Sequence, residues 1–351
     1  MEKNKALNTD FVLTLVALIL VFVSVITILG FLFAGKNAVP TSKDVPLDDG
    51  RKKGYYTFII AGLDKVSNNT DVLMLASLDT AKNAINILQI PRDTYVSTDV
   101  TGYTSVMRVN AIFAAEYNKA RNNNLSVSNA QKRGMEKLSA VLESAFCTEI
   151  DDYCLVDISI FRSVVDAVGG VWFDVPEDMF YEDPYQDLYI DLKAGYQLLD
   201  GDKAEQLVRF RGYASADIGR VNMRAEFLLA MAQQVKENLN LSSVITIISE
   251  MLDKTVSSVG LGDAIKYATA AYRIKMSNIN IKTVTGSSVW DAASGHWSAY
   301  YYLNKAAALK DINECVNVYR RDISIYEFDE KELFADSSNA EAYAYYNSDL
   351  K

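Results

Sequence analysis

One histidine, His296, and three cysteines with no CxxC pair are all the soft metal ligands that 351 residues offer. With a single histidine and no CxxC spacing, a classical zinc site or a Cys/His catalytic couple is not expected. Positive charge is also short: 35 Lys and Arg stand against 45 Asp and Glu, a formal net charge of -10. A polyanion would be repelled over most of such a surface, which argues against nucleic acid as a partner. Any phosphate site has to be built locally, by gathered arginines. Cys147 and Cys154 bracket Thr148 to Tyr153. A bridge closing that loop would contribute about 2.5 kcal/mol in the chain-entropy model and would imply an oxidising compartment. Two thiols beside a strand are the equal alternative, and Cys315, among apolar neighbours, is expected to be buried. No internal repeat is present.

Charge is missing altogether from Phe11 to Phe33, where Leu, Val, Ile and Phe dominate. About 20 apolar residues cross a bilayer core, so this stretch is expected to be a transmembrane helix. A cleaved signal peptide, the alternative, has an apolar region of roughly 7 to 15 residues, and this run is longer. Lys3 and Lys5 precede it, while Lys36, Lys43, Arg51, Lys52 and Lys53 follow. That balance points the wrong way for an exported domain, but a long domain is translocated regardless of such charge. Residues 34–54 hold Pro40, Pro46, Gly50 and Gly54 with no helical or strand period, as a linker does.

From Tyr55 the pattern changes to apolar runs of strand length at 56–63, 72–78 and 84–90. The short polar link Asp79 to Asn83 predicts an antiparallel hairpin between the last two. Tyr153 to Ile158 reads as a strand, Ser159 to Val168 as a helix capped by Ser159, and Gly169-Gly170 as the turn into a strand at Val171 to Val175. A longer helix is predicted over 218–239 with Asp217 as its N-cap and an apolar stripe of Phe227, Leu228, Met231 and Val235. Helices near 242–254 and 262–272, a strand at 279–284 and a last helix near 302–318 follow. From Phe328 the chain is acidic and rich in Ala and Tyr, like a loosely held tail. Alternating strands and helices favour an α/β fold, a single layered α-β-α domain with a mixed central sheet.

The hairpin has a chemical consequence. If 72–78 pairs with 84–90, Asp71 lies beside Pro91-Arg92-Asp93, and Asp64 joins the same edge if the first strand is its neighbour. Each Asp alone reads best as a strand-end turn residue. Together they offer a hard divalent cation such as Mg2+ the one or two carboxylates it needs, with phosphate and water completing its octahedron. A second cluster is cationic. Arg209 and Arg211 share one side of Val208-Arg209-Phe210-Arg211 if that stretch is extended. Arg220 and Arg224 share a face near the start of the long helix, where unpaired N–H groups attract anions. Singly, these are surface arginines paired with acids. Four of them in an acidic protein suggest a diphosphate pocket, since guanidinium forks bind phosphate bidentately. Met223, Phe227, Val164 and Val168 could line a lipid groove, although core packing is the commoner fate of such residues.

Nine segments, Ile60-Ala61-Gly62-Leu63-Asp64, Thr70-Asp71, Ile90-Pro91-Arg92-Asp93-Thr94-Tyr95, Arg108-Val109-Asn110-Ala111, Val175-Pro176-Glu177-Asp178, Asp183-Pro184-Tyr185-Gln186, Leu199-Asp200-Gly201, Val208-Arg209-Phe210-Arg211 and Asp217-Ile218-Gly219-Arg220, resemble successive motifs of the LytR-CpsA-Psr family, in the family's order. The resemblance covers about 55–319. It implies a phosphotransferase outside the cell membrane, held by a single-pass anchor with its N-terminus inside. Such an enzyme moves a teichoic acid, capsular polysaccharide or similar glycopolymer from undecaprenyl diphosphate to peptidoglycan, at the 6-hydroxyl of N-acetylmuramic acid. It further implies that Asp64 and Asp71 bind Mg2+ or Mn2+, and that Arg92, Arg108, Arg209, Arg211 and Arg220 hold the diphosphate, with Arg224 a further candidate. Asp93 would orient an arginine or accept the acceptor's proton. The chain departs from the family where Arg is usual and Asn69 stands, where Lys is usual and Arg108 stands, and where Arg-Gln is usual and Met223-Arg224 stands. A hydrolase using water in the same site and a non-catalytic lipid-binding envelope protein are the rival readings. Residues 1–10 are then cytoplasmic, 11–33 the anchor, 34–54 the linker, 55–325 the catalytic domain and 326–351 the tail.

Overall fold

The computed structural model describes residues 50–64, 68–97, 101–103, 107–184, 188–210, 216–252, 254–291 and 296–328. The expected anchor at 11–33, most of the linker and the tail from 329 lie outside them. Among the described residues no helix is long and apolar enough to cross a membrane.

The three apolar runs form β1 (Tyr55–Leu63), β2 (Thr70–Asp79) and β3 (Ala84–Gln89), as their patterning predicts. Asp79 shapes the turn between the last two by accepting the N–H groups of Ala81 and Lys82 at 3.0 and 2.9 Å, and Asn83 takes the left-handed conformation that closes it. With β6 (Asp152–Asp157), β11 (Val256–Ser257) and β12 (Ile279–Thr283) they make a six-stranded mixed sheet in the order β11-β6-β1-β2-β3-β12. The other strands pair two by two: β4 (Tyr95–Val96) with β5 (Met107–Arg108), β7 (Val171–Val175) with β10 (Gly195–Leu199), β8 (Met179–Asp183) with β9 (Leu188–Leu192), and β13 (Gly286–Asp291) with β14 (His296–Leu303). The helices are α1 (Val109–Asn122), α2 (Val127–Phe146), α3 (Ile158–Ala167), α4 (Gly201–Arg209), α5 (Ala216–Asn238), α6 (Leu241–Leu252), α7 (Leu261–Tyr272) and α8 (Lys305–Cys315). The fold is therefore α/β.

Two compact units divide the chain. One takes the described residues in 50–77, 86–153 and 282–328. In it α1 and α2, absent from the expected elements, pack closely because Gly134 lets the Phe113 ring in: a Cβ there would meet Phe113 Cδ2 at 2.6 Å. Arg51 bridges to Tyr319 and ion-pairs with Glu149 and Asp151, while Lys52 N–H donates to the Val318 carbonyl at 2.8 Å. The last helix starts at Lys305, three residues later than expected, because Tyr300 to Leu303 are strand and Asn304 caps α8 through the Ala307 N–H.

The other unit takes 78–85 and the described residues in 154–281. Asp157, not Ser159, caps α3: its Oδ1 accepts the N–H of Ser159 at 2.8 Å and of Ile160 at 3.1 Å. Gly169 and Gly170, both at positive φ, turn the chain into β7 as expected, but β7 pairs antiparallel with β10. Asp217 lies inside the first turn of α5 instead of capping it, since the helix begins at Ala216. The stripe of Phe227, Leu228, Met231 and Val235 is buried. Met223, Val164 and Val168 are buried too, and the Phe227 ring packs 6.0 Å from Phe161 and 5.7 Å from Phe173, so the side chains considered for a lipid groove are core. No disulfide forms: Cys147, Cys154 and Cys315 are thiols, the last two buried, and Cys147 takes the left-handed position that ends α2.

Candidate functional site

The loop after β3 is held from both sides. Ile90 N–H donates to the Leu73 carbonyl at 2.9 Å, which keeps the chain beside β2 up to Pro91. Thr94 then folds back on Pro91, its N–H and Oγ1 both donating to that carbonyl, at 3.0 and 2.6 Å. On one flank the first amides of α1 reach in: Val109 N–H donates to Thr94 O at 2.8 Å and Asn110 N–H to Arg92 O at 3.3 Å. On the other, Tyr301 N–H of β14 donates to Asp93 O at 2.8 Å. Backbone bonding on this scale pre-sets where Arg92 and Asp93 point.

Their side chains form an alternating chain of charge. Arg92 Nη1 lies 3.1 Å from Asp71 Oδ2, Arg92 Nε 3.6 Å from Asp93 Oδ2, and Arg108 Nη1 3.3 Å from Asp93 Oδ1. Asn110 donates through Nδ2 to the second Asp71 oxygen at 3.2 Å, and Thr70 Oγ1 in turn donates to the Asn110 carbonyl at 3.3 Å. Asp93 Oδ1 is buried and receives no hydrogen bond; the Arg108 guanidinium is near it but misaligned. Arg108, 44% exposed, covers that oxygen and is the N-cap residue of α1, whose first turn contains no acid. Two guanidinium groups are thus held together beside a helix start, each next to a carboxylate, so a phosphate has to compete with Asp71 and Asp93 for their forks.

Asp71, Arg92 and Asp93 thus meet as the hairpin register predicts. β1 neighbours β2, and the Asp64 N–H donates to the Asn69 carbonyl at 2.9 Å, so Asp64 stands at the same end of the strands. The Asp71 carboxylate is partly exposed and takes one side-chain donor on each oxygen, which leaves each a lone pair. That fits a hard cation held by one or two carboxylates and otherwise by phosphate oxygens. Among the described residues no group of three or more His, Cys, Asp or Glu could hold a metal without such help. Asn110 is the site residue that reasoning from strand patterns misses; its signal is its place two residues after Arg108 at a helix start.

The cationic stretch in the other unit is helical at its beginning, not extended. Val208 and Arg209 close α4, capped at its start by Asp200, and Phe210 is its buried C-cap residue. Alternation of Arg209 and Phe210 across a strand is therefore replaced by an intrahelical pair, Arg209 Nη1 to Glu205 Oε1 at 2.8 Å. Arg224 Nε donates to the Val208 carbonyl at 3.3 Å, satisfying an acceptor in the last turn of α4. Arg211 and the Arg220 side chain lie outside what is described.

The model of the LytR_cpsA_psr family matches residues 32–316. The chain belongs to that family. Its relatives include an uncharacterized protein of Staphylococcus aureus, 25% identical over 82% of this chain and 62% of the relative. Another is the Bacillus subtilis protein named polyisoprenyl-teichoic acid–peptidoglycan teichoic acid transferase TagV, 23% identical over 75% of this chain and 64% of the relative. The chain thus spans under two thirds of the length of both. The crystal structure of Bacillus subtilis TagV superimposes with a TM-score of 0.58 at 21% identity, covering 74% of this chain and 95% of that one. This likeness places the α/β fold with its mixed sheet within the LytR_cpsA_psr fold.

Proposed function

We propose that this member of the LytR_cpsA_psr family transfers a phosphate-linked glycopolymer from a polyprenyl diphosphate carrier to a hydroxyl of peptidoglycan, the 6-hydroxyl of N-acetylmuramic acid. The observation that carries this reading is the chain Asp71–Arg92–Asp93–Arg108 at the start of α1, with one buried Asp93 oxygen left without a hydrogen bond. Relatives named as teichoic acid transferases and cell wall biosynthesis proteins support it. So does the uncharged run at 11–33, which would hold the domain at the outer face of the cell membrane, where such carriers present their headgroups.

In the proposed reaction the acceptor oxygen attacks the phosphorus that bears the sugar, a new P–O bond forms, and the bond to the bridging oxygen breaks so that polyprenyl phosphate leaves. Arg92 and Arg108 hold the diphosphate and neutralise charge as it moves to the leaving oxygen. Asp71 and Asn110 fix the direction of Arg92. Asp93 Oδ1, uncovered when a phosphate draws Arg108 away, takes the acceptor's proton. Mg2+ or Mn2+, held by Asp71 with Asp64, would add Lewis-acid polarisation of a phosphoryl oxygen. Arg209, Arg211, Arg220 and Arg224 are further diphosphate donors on the resemblance.

The test is to incubate the full-length protein in detergent with a polyprenyl diphosphate-linked glycan and peptidoglycan fragments, with and without Mg2+. A covalent glycan–peptidoglycan product by mass spectrometry supports the transferase. Polyprenyl phosphate released with no such product identifies a hydrolase, and no turnover with tight carrier binding identifies a binding protein; either overturns the proposal.

A further inference from the structure

Two motif segments of the sequence, at 175–178 and 183–186, take no part in the phosphate chemistry. They bracket one feature. Val175 pairs with Gly195 at one end of the β7–β10 ladder and Met179 with Leu192 at the start of the β8–β9 ladder. Between the ladders Pro176, Glu177 and Asp178 stand opposite Lys193 and Ala194, so the two hairpins are one antiparallel ribbon with a one-residue bulge. Asp178 fastens the bulge by accepting the Ala194 N–H at 2.9 Å and pairing with Lys193 Nζ at 3.1 Å.

One face of this ribbon is buried through Val171, Phe173 and Val175 in β7 and Leu188, Ile190 and Leu192 in β9. The opposite face is exposed and mixes aromatic with acidic side chains. Four of the five exposed aromatic side chains among the described residues lie on it: Trp172 (45%), Phe180 (70%), Tyr189 (56%) and Tyr196 (71%). Trp172 and Tyr196 stack diagonally across the strands with ring centroids 5.4 Å apart and planes 18° from parallel. The aromatics are matched with acids in register: Tyr196 faces Asp174, Phe180 faces Asp191 and Tyr189 faces Glu182.

Exposed aromatics in such density mark a binding surface, and the charge selects the occupant. Residues 171–199 carry seven carboxylates against one lysine. An anionic bilayer surface or a polyphosphate is repelled by this face, and so is a second copy laid face to face against it. An uncharged polysaccharide meets neither objection. The C–H face of a sugar ring packs on the negative face of an aromatic ring, and its hydroxyls donate to flanking carboxylates. We propose that this face of the β7–β10 ribbon binds an uncharged glycan strand along its length. The surface contains none of the residues assigned to phosphate chemistry, so it stands or falls separately from the transfer reaction.

The test uses the full-length protein in detergent, with chitin and cellulose as uncharged probes and phosphatidylglycerol vesicles as comparator. Wild type is expected to sediment with the glycans and not with vesicles. The double variant Trp172→Ala/Tyr196→Ala should lose at least tenfold in glycan affinity, while Trp172→Phe/Tyr196→Phe keeps most of it with an unchanged melting curve. Arg92→Ala should bind glycan like wild type while losing transfer. Glycan binding undiminished in the double Ala variant overturns the proposal. So does wild-type failure to bind either glycan, binding to vesicles that the double variant abolishes, or self-association that it abolishes.

Discussion

Replacing Arg92 by Ala separates a phosphate-binding role from a structural one, because the two predict different magnitudes. Arg92 links two carboxylates, Asp71 at 3.1 Å and Asp93 at 3.6 Å, and the three side chains are each about one quarter to one third exposed. Ion pairs with that much solvent contribute up to about 1 kcal/mol net. Arg92→Ala should therefore lower stability by about 1 kcal/mol, or about 2–4 °C in Tm for a domain of this size. Catalysis should suffer far more. A guanidinium that meets charge developing on a phosphate in a partly enclosed site is worth about 3 kcal/mol, a loss of about 100-fold in kcat. Arg92→Lys keeps the charge but not the planar fork that reaches both carboxylates, so it should recover only about one factor of ten. Rates would be read as glycan–peptidoglycan product by mass spectrometry with the full-length protein in detergent, and stability by thermal melting of the same preparations. If Arg92→Ala kept more than half of the wild-type rate, Arg92 would not be a phosphate ligand. If the rate fell together with a drop of more than 10 °C in Tm, the residue would be structural and the site misassigned.

Asp93→Asn should slow transfer by about 100-fold, within the usual range for a lost general base, while carrier affinity measured by fluorescence titration stays within twofold; loss of carrier binding instead would make Asp93 an arginine-positioning residue only. Gly134→Ala pushes a methyl group to 2.6 Å from the Phe113 ring, and overpacking of this kind costs about 1–3 kcal/mol, visible as a lower urea midpoint; an unchanged midpoint would mean that α1 and α2 separate easily. The Glu327 carboxyl is held down to about 2, first by its hydrogen bonds from Arg321 and then by the Ser324 amide. A depressed acid adds stability above its ordinary range near 4.5 that disappears as the pH falls towards 2. Between pH 5 and 2.5 wild type should therefore lose more stability than Glu327→Gln, by less than about 1 kcal/mol given the exposure of the pair; parallel curves would refute the pairing. Burial pushes the Cys315 thiol up to about 11 and raises that of Cys154 as well, so both should resist iodoacetamide at pH 8 in the native protein. Three thiols should titrate after unfolding without reductant, whereas one would reveal a disulfide.

Patterning predicts β1, β2 and β3 because they are continuous apolar runs buried on both faces, and Asp79 with Asn83 marks the turn between two of them, while the α5 stripe shows by its helical period. α2 carries a helical stripe of its own, burying Met135, Leu138, Val141, Leu142 and Phe146, and the sequence holds that signal; what it does not show is that Gly134 admits the Phe113 ring of α1. β8, β9 and β10 are hidden for another reason: with aromatics on the exposed face, a strand loses the alternation that identifies it. Asp157 and Ser159 are both good N-cap types two residues apart, and only the geometry chooses Asp157, which gathers two amides on one oxygen. For the candidate site the same logic holds. Asp71, Arg92 and Asp93 are brought together by a hairpin whose register is readable, because the short Asp79 to Asn83 link leaves no other pairing. Arg108 and Asn110 follow residues 97–107, which no local rule places, so only the resemblance, through Arg108-Val109-Asn110-Ala111, reached them, and it gave Asn110 no role. Residues that chemistry needs at a strand edge are thus as legible as the strands themselves, while those delivered by a helix start become visible once the carbonyls of Arg92 and Thr94 are seen to accept the first amides of α1.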